Sequence, residues 1–110
     1  MHPRRGEVWW ISFDPSLGGE IQKTRPAIII SNDAANTALN RVIVVPITSQ
    51  AAKVYPGEAL VTLNGEQRKA MADQIMTASK QRLKSKVGNL SRADVAAVES
   101  AVLLQLGIRR

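Results

Sequence analysis

The chain has 110 residues, a formal net charge of +6 and a pI near 10.3, a size that suits one modest core and hence a single domain over 1–110. It has no cysteine, which excludes a disulfide framework, a thiolate nucleophile and a cysteine-bound zinc. No apolar run is long enough to span a bilayer and the basic N-terminus lacks a signal-peptide core, so a cytoplasmic protein away from membranes is expected.

Glu7 to Phe13 (EVWWISF) reads as a first strand, with Trp9 and Trp10 on opposite faces, one toward the core and one outward. Asp14-Pro15-Ser16-Leu17-Gly18-Gly19 is turn chemistry, and the loop is expected to run through Thr24. Ala27 to Ser31 reads as a second strand. Pro26 has no N–H for a ladder, so it belongs at that strand's first residue or on an edge, and it holds Arg25 extended. Asp33 to Ala38 suits one short helical turn with Asp33 as N-cap. Arg41 to Thr48 is apolar enough to be a third strand buried on both faces, and its Pro46 points to a bulge or an edge near the strand's end.

Ala51 to Pro56 reads as a loop and Glu58 to Leu63 as a half-exposed strand, followed by Asn64-Gly65, which suits a tight hairpin. Lys69 to Ala78 reads as one more strand, from the alternation of Met71, Asp73, Ile75 and Thr77. Ser79 to Leu83 suits a capped helical turn and Lys84 to Gly88 a last strand. Ser91-Arg92-Ala93-Asp94 resembles a capping box with Asp in place of Glu. It opens a helix with apolar Val95, Val98, Val102, Leu103 and Leu106, stopped by Gly107. Short strands first and one real helix last predict a mainly β fold with short helices: a small, strongly bent antiparallel sheet or barrel closed by a C-terminal helix.

The positive charge points to polyanions, nucleic acid foremost, and it is clustered: Arg68, Lys69, Lys80, Arg82, Lys84 and Lys86 share their stretch with one acid, Asp73. Most other chemistry is eliminated. The single histidine, His2, gives no acid/base pair and no histidine-rich metal site. There is no phosphate-binding P-loop, and the nine acids lack the paired spacing of a glycosidase or a magnesium site, so neither metal nor cofactor is expected. Arginine, threonine, serine and isolated carboxylates remain. Arg25 beside Thr24, and Thr48-Ser49-Gln50 at the end of the third strand, converge if their strands are neighbours. The alternative is structural: Arg25 pairs with Asp14 or Glu20, and Thr48 merely ends a strand.

Arg5-Gly6-Glu7-Val8-Trp9, Asp14-Pro15-Ser16-Leu17-Gly18-Gly19-Glu20, Arg25-Pro26-Ala27-Ile28-Ile29-Ile30-Ser31-Asn32-Asp33, Val44-Val45-Pro46-Ile47-Thr48-Ser49, Asp73-Gln74-Ile75 and Lys80-Gln81-Arg82-Leu83 follow one another along nearly the whole chain. The ordered set resembles the MazF/PemK/Kid family of toxin–antitoxin endoribonucleases. That resemblance implies an SH3-like β-barrel working as a homodimer. The activity it implies is metal-independent cleavage of single-stranded RNA at short sequences, mRNA included, by 2′-OH attack that leaves a 2′,3′-cyclic phosphate and a 5′-OH. It makes Arg25 the catalytic arginine, Thr48 the second catalytic residue, and Glu20 a base on the 2′-OH or a contact to a base edge. Lys23, Ser49, Gln50, Asp73 and Gln74 become RNA contacts, and an antitoxin with an acidic, disordered tail becomes the partner. Met76 departs from the family, whose members often carry a basic residue there.

Two other readings keep a similar barrel. A CcdB-type toxin binds DNA gyrase and cuts nothing, but the paired Arg25 and Thr48 argue against it. A non-catalytic nucleic-acid-binding barrel needs stacking platforms, and Phe13, Tyr55 and two tryptophans are a thin supply.

Overall fold

A computed structural model describes residues 2–14, 18 and 23–109. Its elements run β1 (Glu7–Ser12), β2 (Thr24–Ile29), α1 (Asp33–Ala38), β3 (Arg41–Thr48), β4 (Glu58–Leu63), β5 (Glu66–Met71), β6 (Met76–Ser79), β7 (Leu83–Asn89) and α2 (Arg92–Gln105). Short 3₁₀ turns at Ala72–Gln74 and Lys80–Arg82 flank β6. The strands form an antiparallel sheet in the order β4-β5-β3-β2-β1-β7, with β6 also paired to β3. The sheet curls into a half barrel and carries α2, so the mainly β class with a closing helix is borne out. Among the described residues no helix is long and apolar enough to cross a membrane.

The period-2 alternation of β1, β2 and β3 sorts their side chains into two cores. Val8, Ile28, Val45 and Ile47 pack on one face with Val61 and Leu63 of β4, Ala70 of β5 and Val98 and Ala101 of α2. Trp9, Ile11, Ala27, Ile29, Val42 and Val44 pack on the other with Phe13, Ala78 and Leu83. The central layer is therefore covered on both sides, which explains the unbroken burial from Val44 to Ile47. Ile43, 40% exposed, escapes that expectation. Trp9 lies inside and Trp10 outside, as the alternation requires.

Both strand prolines sit in the interior of the sheet, not on an edge. β2 starts at Thr24, before Pro26, so the predicted start at Ala27 is corrected. Phe13 N donates to Lys23 O, which makes odd residues of β2 the ones bonded to β1. The nitrogen of Pro26 thus faces the β3 side, where pairing begins only at Ala27↔Pro46. Pro46 likewise turns its nitrogen from β2, because Ile30 N donates to Ile43 O and fixes the bonded set. On its other side β3 is changing neighbours: β6 ends at Val44 and β5 begins at Ile47. Each proline occupies a gap in the ladder where no donor is required.

That gap corrects the single strand predicted over Lys69 to Ala78. The chain from Ala70 to Met76 passes only the residues from Ile47 to Val44, and the excess is looped out as the 3₁₀ turn Ala72–Gln74. The alternation changes phase across that turn: odd-numbered Lys69 pairs with even-numbered Thr48, whereas odd-numbered Thr77 pairs with odd-numbered Ile43.

Capping differs in detail from expectation. Asn32, not Asp33, caps α1, accepting from Ala35 N at 2.9 Å. Asp33 Oδ1 instead accepts from Arg5 N at 2.8 Å and from buried Asn36. Ser91 does cap α2, accepting from Asp94 N at 3.1 Å. Asp94 does not complete a capping box; its Oδ2 accepts from Thr62 N at 2.8 Å and ties the helix to β4. The expected apolar stripe holds at Val95, Val98 and Val102, but Leu106 is 54% exposed. The helix ends in the Schellman pattern, with Gly107 N donating to Leu104 O and Ile108 N to Leu103 O. The Asn64-Gly65 hairpin forms, bringing Leu63 opposite Glu66. Asn64 Nδ2 donates to Val87 O, and a Cβ at Gly88 would lie 2.9 Å from Asn64 Oδ1, so β4 and β7 meet there closely.

Candidate active site

The ladder between β2 and β3 ends at Ala27↔Pro46. One pleat further, Arg25 and Thr48 lie on the same face of neighbouring strands, opposite each other in the extended register. Arg25 is also registered with Ile11 of β1, and Thr48 with Lys69 of β5. A row thus crosses the sheet on the face of the second core: Ile11, Arg25, Thr48, Lys69. Arg25 and Thr48 are both half-buried, which limits their motion and leaves them open to a ligand.

The groups around them are held by the loops at the same end of the sheet. Thr48 Oγ1 accepts from Gln50 N at 3.3 Å, bending the chain after β3. Ser49 and Gln50 are exposed and line a cleft of about 740 Å³ together with Lys53, Tyr55, Gln67 and Lys69. On the β1–β2 side, Asp14 Oδ1 accepts from Lys23 N at 2.9 Å. Lys23 there adopts φ 66°, a sparsely populated region for a residue with a side chain. Glu20 lies outside the described residues. Asp73 and Gln74 sit in the 3₁₀ turn beside the Pro46 gap, Asp73 exposed and Gln74 half-buried. The structure therefore brings Arg25, Thr48, Ser49 and Gln50 to one end of the sheet, with Lys23 at the base of the neighbouring loop. Asp73 and Gln74 approach β3 from its β5 edge. Met76, the departure from the family pattern, pairs with Val44 and packs against the second core.

Much of the basic cluster has structural work. Arg68 pairs with Glu66 at 3.0 Å, Lys69 with Glu58 at 3.2 Å, and Lys86 with Glu7 at 3.0 Å. Arg82 Nη1 donates to the carbonyls of Ser12 at 3.0 Å and Asp14 at 2.7 Å, clamping the base of the β1–β2 loop. Sequence proximity of these cations overstated the field they present to a ligand. Conversely, the sequence did not assemble Lys53, Tyr55, Gln67 and Lys69 into one cleft. The available signal was an aromatic two residues after a lysine in the β3–β4 loop; what joins them to Gln67 and Lys69 is the β4–β5 hairpin.

Among the described residues, two carboxylates are held below their ordinary range. For Glu7, burial pushes upward, but bonds from Arg4 N, the Trp9 indole and Lys86 outweigh it. Asp33 is lowered chiefly by the Arg5 N–H and then by Asn36. Both are anchors of the N-terminal segment.

Comparison with known proteins places this geometry. The family model described as PemK-like, MazF-like toxin of type II toxin-antitoxin system matches residues 4–106. Endoribonuclease MazF9 of Mycobacterium tuberculosis is 40% identical, the match covering 96% of this chain and 97% of that protein. The crystal structure of MazF from Deinococcus radiodurans superposes with a TM-score of 0.86 at 25% identity, over 98% of this chain and 99% of that one. A mycobacterial endoribonuclease solved in complex with its cognate antitoxin matches with a TM-score of 0.82 at 23% identity, over 98% of both chains.

Proposed function

We propose a mechanism from an established premise: the chain belongs to the PemK-like, MazF-like toxins of type II toxin–antitoxin systems. It is an endoribonuclease toxin, with RNA as substrate and a cognate antitoxin as partner. Residues 1–110 form one toxin domain, which acts in the cytoplasm as a homodimer. Its substrate is single-stranded RNA, messenger RNA foremost, cut at short sequences so that translation stops.

The ribose 2′-OH is the nucleophile. Its oxygen bonds to the adjacent phosphorus, the P–O5′ bond breaks, the hydroxyl proton passes to a base, and O5′ takes up a proton. The products are a 2′,3′-cyclic phosphate and a 5′-OH, and DNA cannot react because it lacks the hydroxyl. Arg25 stabilises the charge that builds on the phosphoryl oxygens. Its guanidinium forks onto two oxygens and does not lose its proton at neutral pH, so it acts electrostatically and not as a general acid. Thr48 Oγ1 accepts from Gln50 N, leaving its own O–H to donate to a phosphate oxygen. Glu20 serves as base or as a base-edge contact, and Lys23, Ser49, Gln50, Asp73 and Gln74 hold the strand. The antitoxin's acidic tail folds onto the same basic end and blocks Arg25.

The observation that carries this reading is the shared face of Arg25 and Thr48 on adjacent strands, one pleat beyond Ala27↔Pro46. The test is incubation with a long, weakly structured RNA in excess EDTA, with mapping of fragment ends and an Arg25→Ala control. Discrete cuts with 5′-OH ends, absent in the control, are expected. Intact RNA from folded, antitoxin-free protein would overturn the mechanism and make gyrase binding the next assay.

A further inference from the structure

The β3–β4 loop holds an aromatic that lies outside both cores. Trp9 and Phe13 are buried in the second core, whereas Tyr55 is 53% exposed. It is not a loose side chain on a loose loop, because Tyr55 N donates to Glu58 Oε1 at 2.8 Å. Two ammonium groups lie against its ring, Lys53 Nζ at 5.1 Å and Lys69 Nζ at 5.8 Å from the centroid. Lys69 is fixed: its side chain is 11% exposed, pairs with Glu58 and donates to Lys53 O at 3.0 Å. Lys53 itself is exposed.

The ring, the lysines and the amides of Gln50 and Gln67 line one open cleft of about 740 Å³, ample for a nucleotide. The cleft adjoins Thr48 through the Thr48↔Lys69 pair. An acidic peptide would use the lysines but has no need of the ring or the amides. A nucleotide uses all three: a π-face for stacking, donors and acceptors for a base edge, and a cation for phosphate.

We infer that Tyr55 is the platform of a stacking subsite that takes an unpaired RNA base next to the scissile phosphate, with Lys53 on a neighbouring phosphate. The inference rests on the RNA-cleaving reading above and adds to it a specificity-determining residue. Because the Tyr55 anchor is its backbone N–H, truncating the side chain leaves the loop's hydrogen bond in place.

The test uses the full chain and a short target RNA taken from the cleavage map, plus versions with single abasic positions around the cut. Tyr55→Ala is expected to raise KM by about 5- to 150-fold with kcat within about twofold, the range of one lost base stack. Tyr55→Phe, which keeps the ring, is expected to behave as wild type. One abasic RNA should erase the difference between wild type and Tyr55→Ala. Lys53→Ala should make the slope of log affinity against log salt shallower by about 0.7. A wild-type KM in Tyr55→Ala on every RNA, or equal damage from Tyr55→Phe, overturns the subsite. If the wild type cuts no RNA, the catalytic reading fails separately. Fluorescence anisotropy of labelled single-stranded RNA, compared between wild type and Tyr55→Ala, then still decides the stack.

Discussion

Arg25 gains its position from its neighbours on either side. Pro26 restricts its backbone to extended geometry, and Ile11 across the ladder fixes its height on β1. A charge so placed acts without reorganising, which is the condition under which electrostatic stabilisation is strong. Arg25→Ala is expected to lower single-turnover cleavage by about two to three orders of magnitude. Arg25→Lys should recover little, since an ammonium cannot span two phosphoryl oxygens; near-wild-type rates in the lysine variant would mean that charge alone suffices. At Thr48 the decisive atom is the hydroxyl. Thr48→Val should cost about 10- to 100-fold, the value of one hydrogen bond to a charged group, and Thr48→Ser should restore most of it. Equal rates in the two variants would reduce Thr48 to a strand-ending residue.

At the scale of elements, single side chains tie one segment to another. Asp94 both takes part in the first turn of α2 and accepts from Thr62 N, joining that helix to β4. Asp94→Ala should therefore destabilise by about 1 kcal/mol or more in urea denaturation, and a neutral result would show the tie to be idle. Glu7 joins the start of β1 to β7 through Lys86 and to Arg4 and the Trp9 indole. Its carboxylate pKa is lowered on folding from the ordinary 4.5, so the unfolded chain takes up the proton first as pH falls. The stabilisation is complete above the unfolded value and is lost as pH drops through the lowered folded one. Stability curves of wild type and Glu7→Gln should stay apart near neutral pH and converge in acid; a constant gap would exclude the linkage. The segment from Lys69 to Ala78 shows the limit of pattern reading at this scale. Its alternation was legible, but the looped-out turn follows from β3 changing partners at Pro46, a fact held in no local window.

Over the whole molecule, net charge and useful charge differ. Arg68, Lys69 and Lys86 are paired with acids, and Arg82 is committed to two carbonyls. RNA affinity should fall with salt, with about 0.7 in log–log slope per phosphate neutralised on a single strand. Lys86→Ala should leave that slope unchanged, whereas Lys23→Ala should make it shallower by about 0.7. A clear loss of slope in Lys86→Ala would place RNA over β7 instead of the Arg25 end. The two-sided central layer has a further consequence: β1, β2 and β3 cannot slip register without emptying both cores, so the relation of Arg25 to Thr48 is fixed by packing.

The sequence by itself determined the class of fold, most strand positions, the hairpin turn at Asn64-Gly65, the cap at Ser91, and that the two tryptophans face opposite sides. These follow from period, propensity and turn chemistry, which act over a few residues. It also raised Arg25 and Thr48 as candidates with a structural alternative beside them, and the ordered family resemblance, spread along the whole chain, is what implied catalysis for them. Only tertiary structure decided that those two lie on adjacent strands and the same face, that both prolines fall in gaps of the ladder, and that four cations of the basic stretch are already engaged. It also decided that Tyr55 and Lys69, fourteen residues apart, share one cleft. Pairing register joins residues that are remote in the chain, and its energy comes from both cores at once, so no short stretch of sequence contains it.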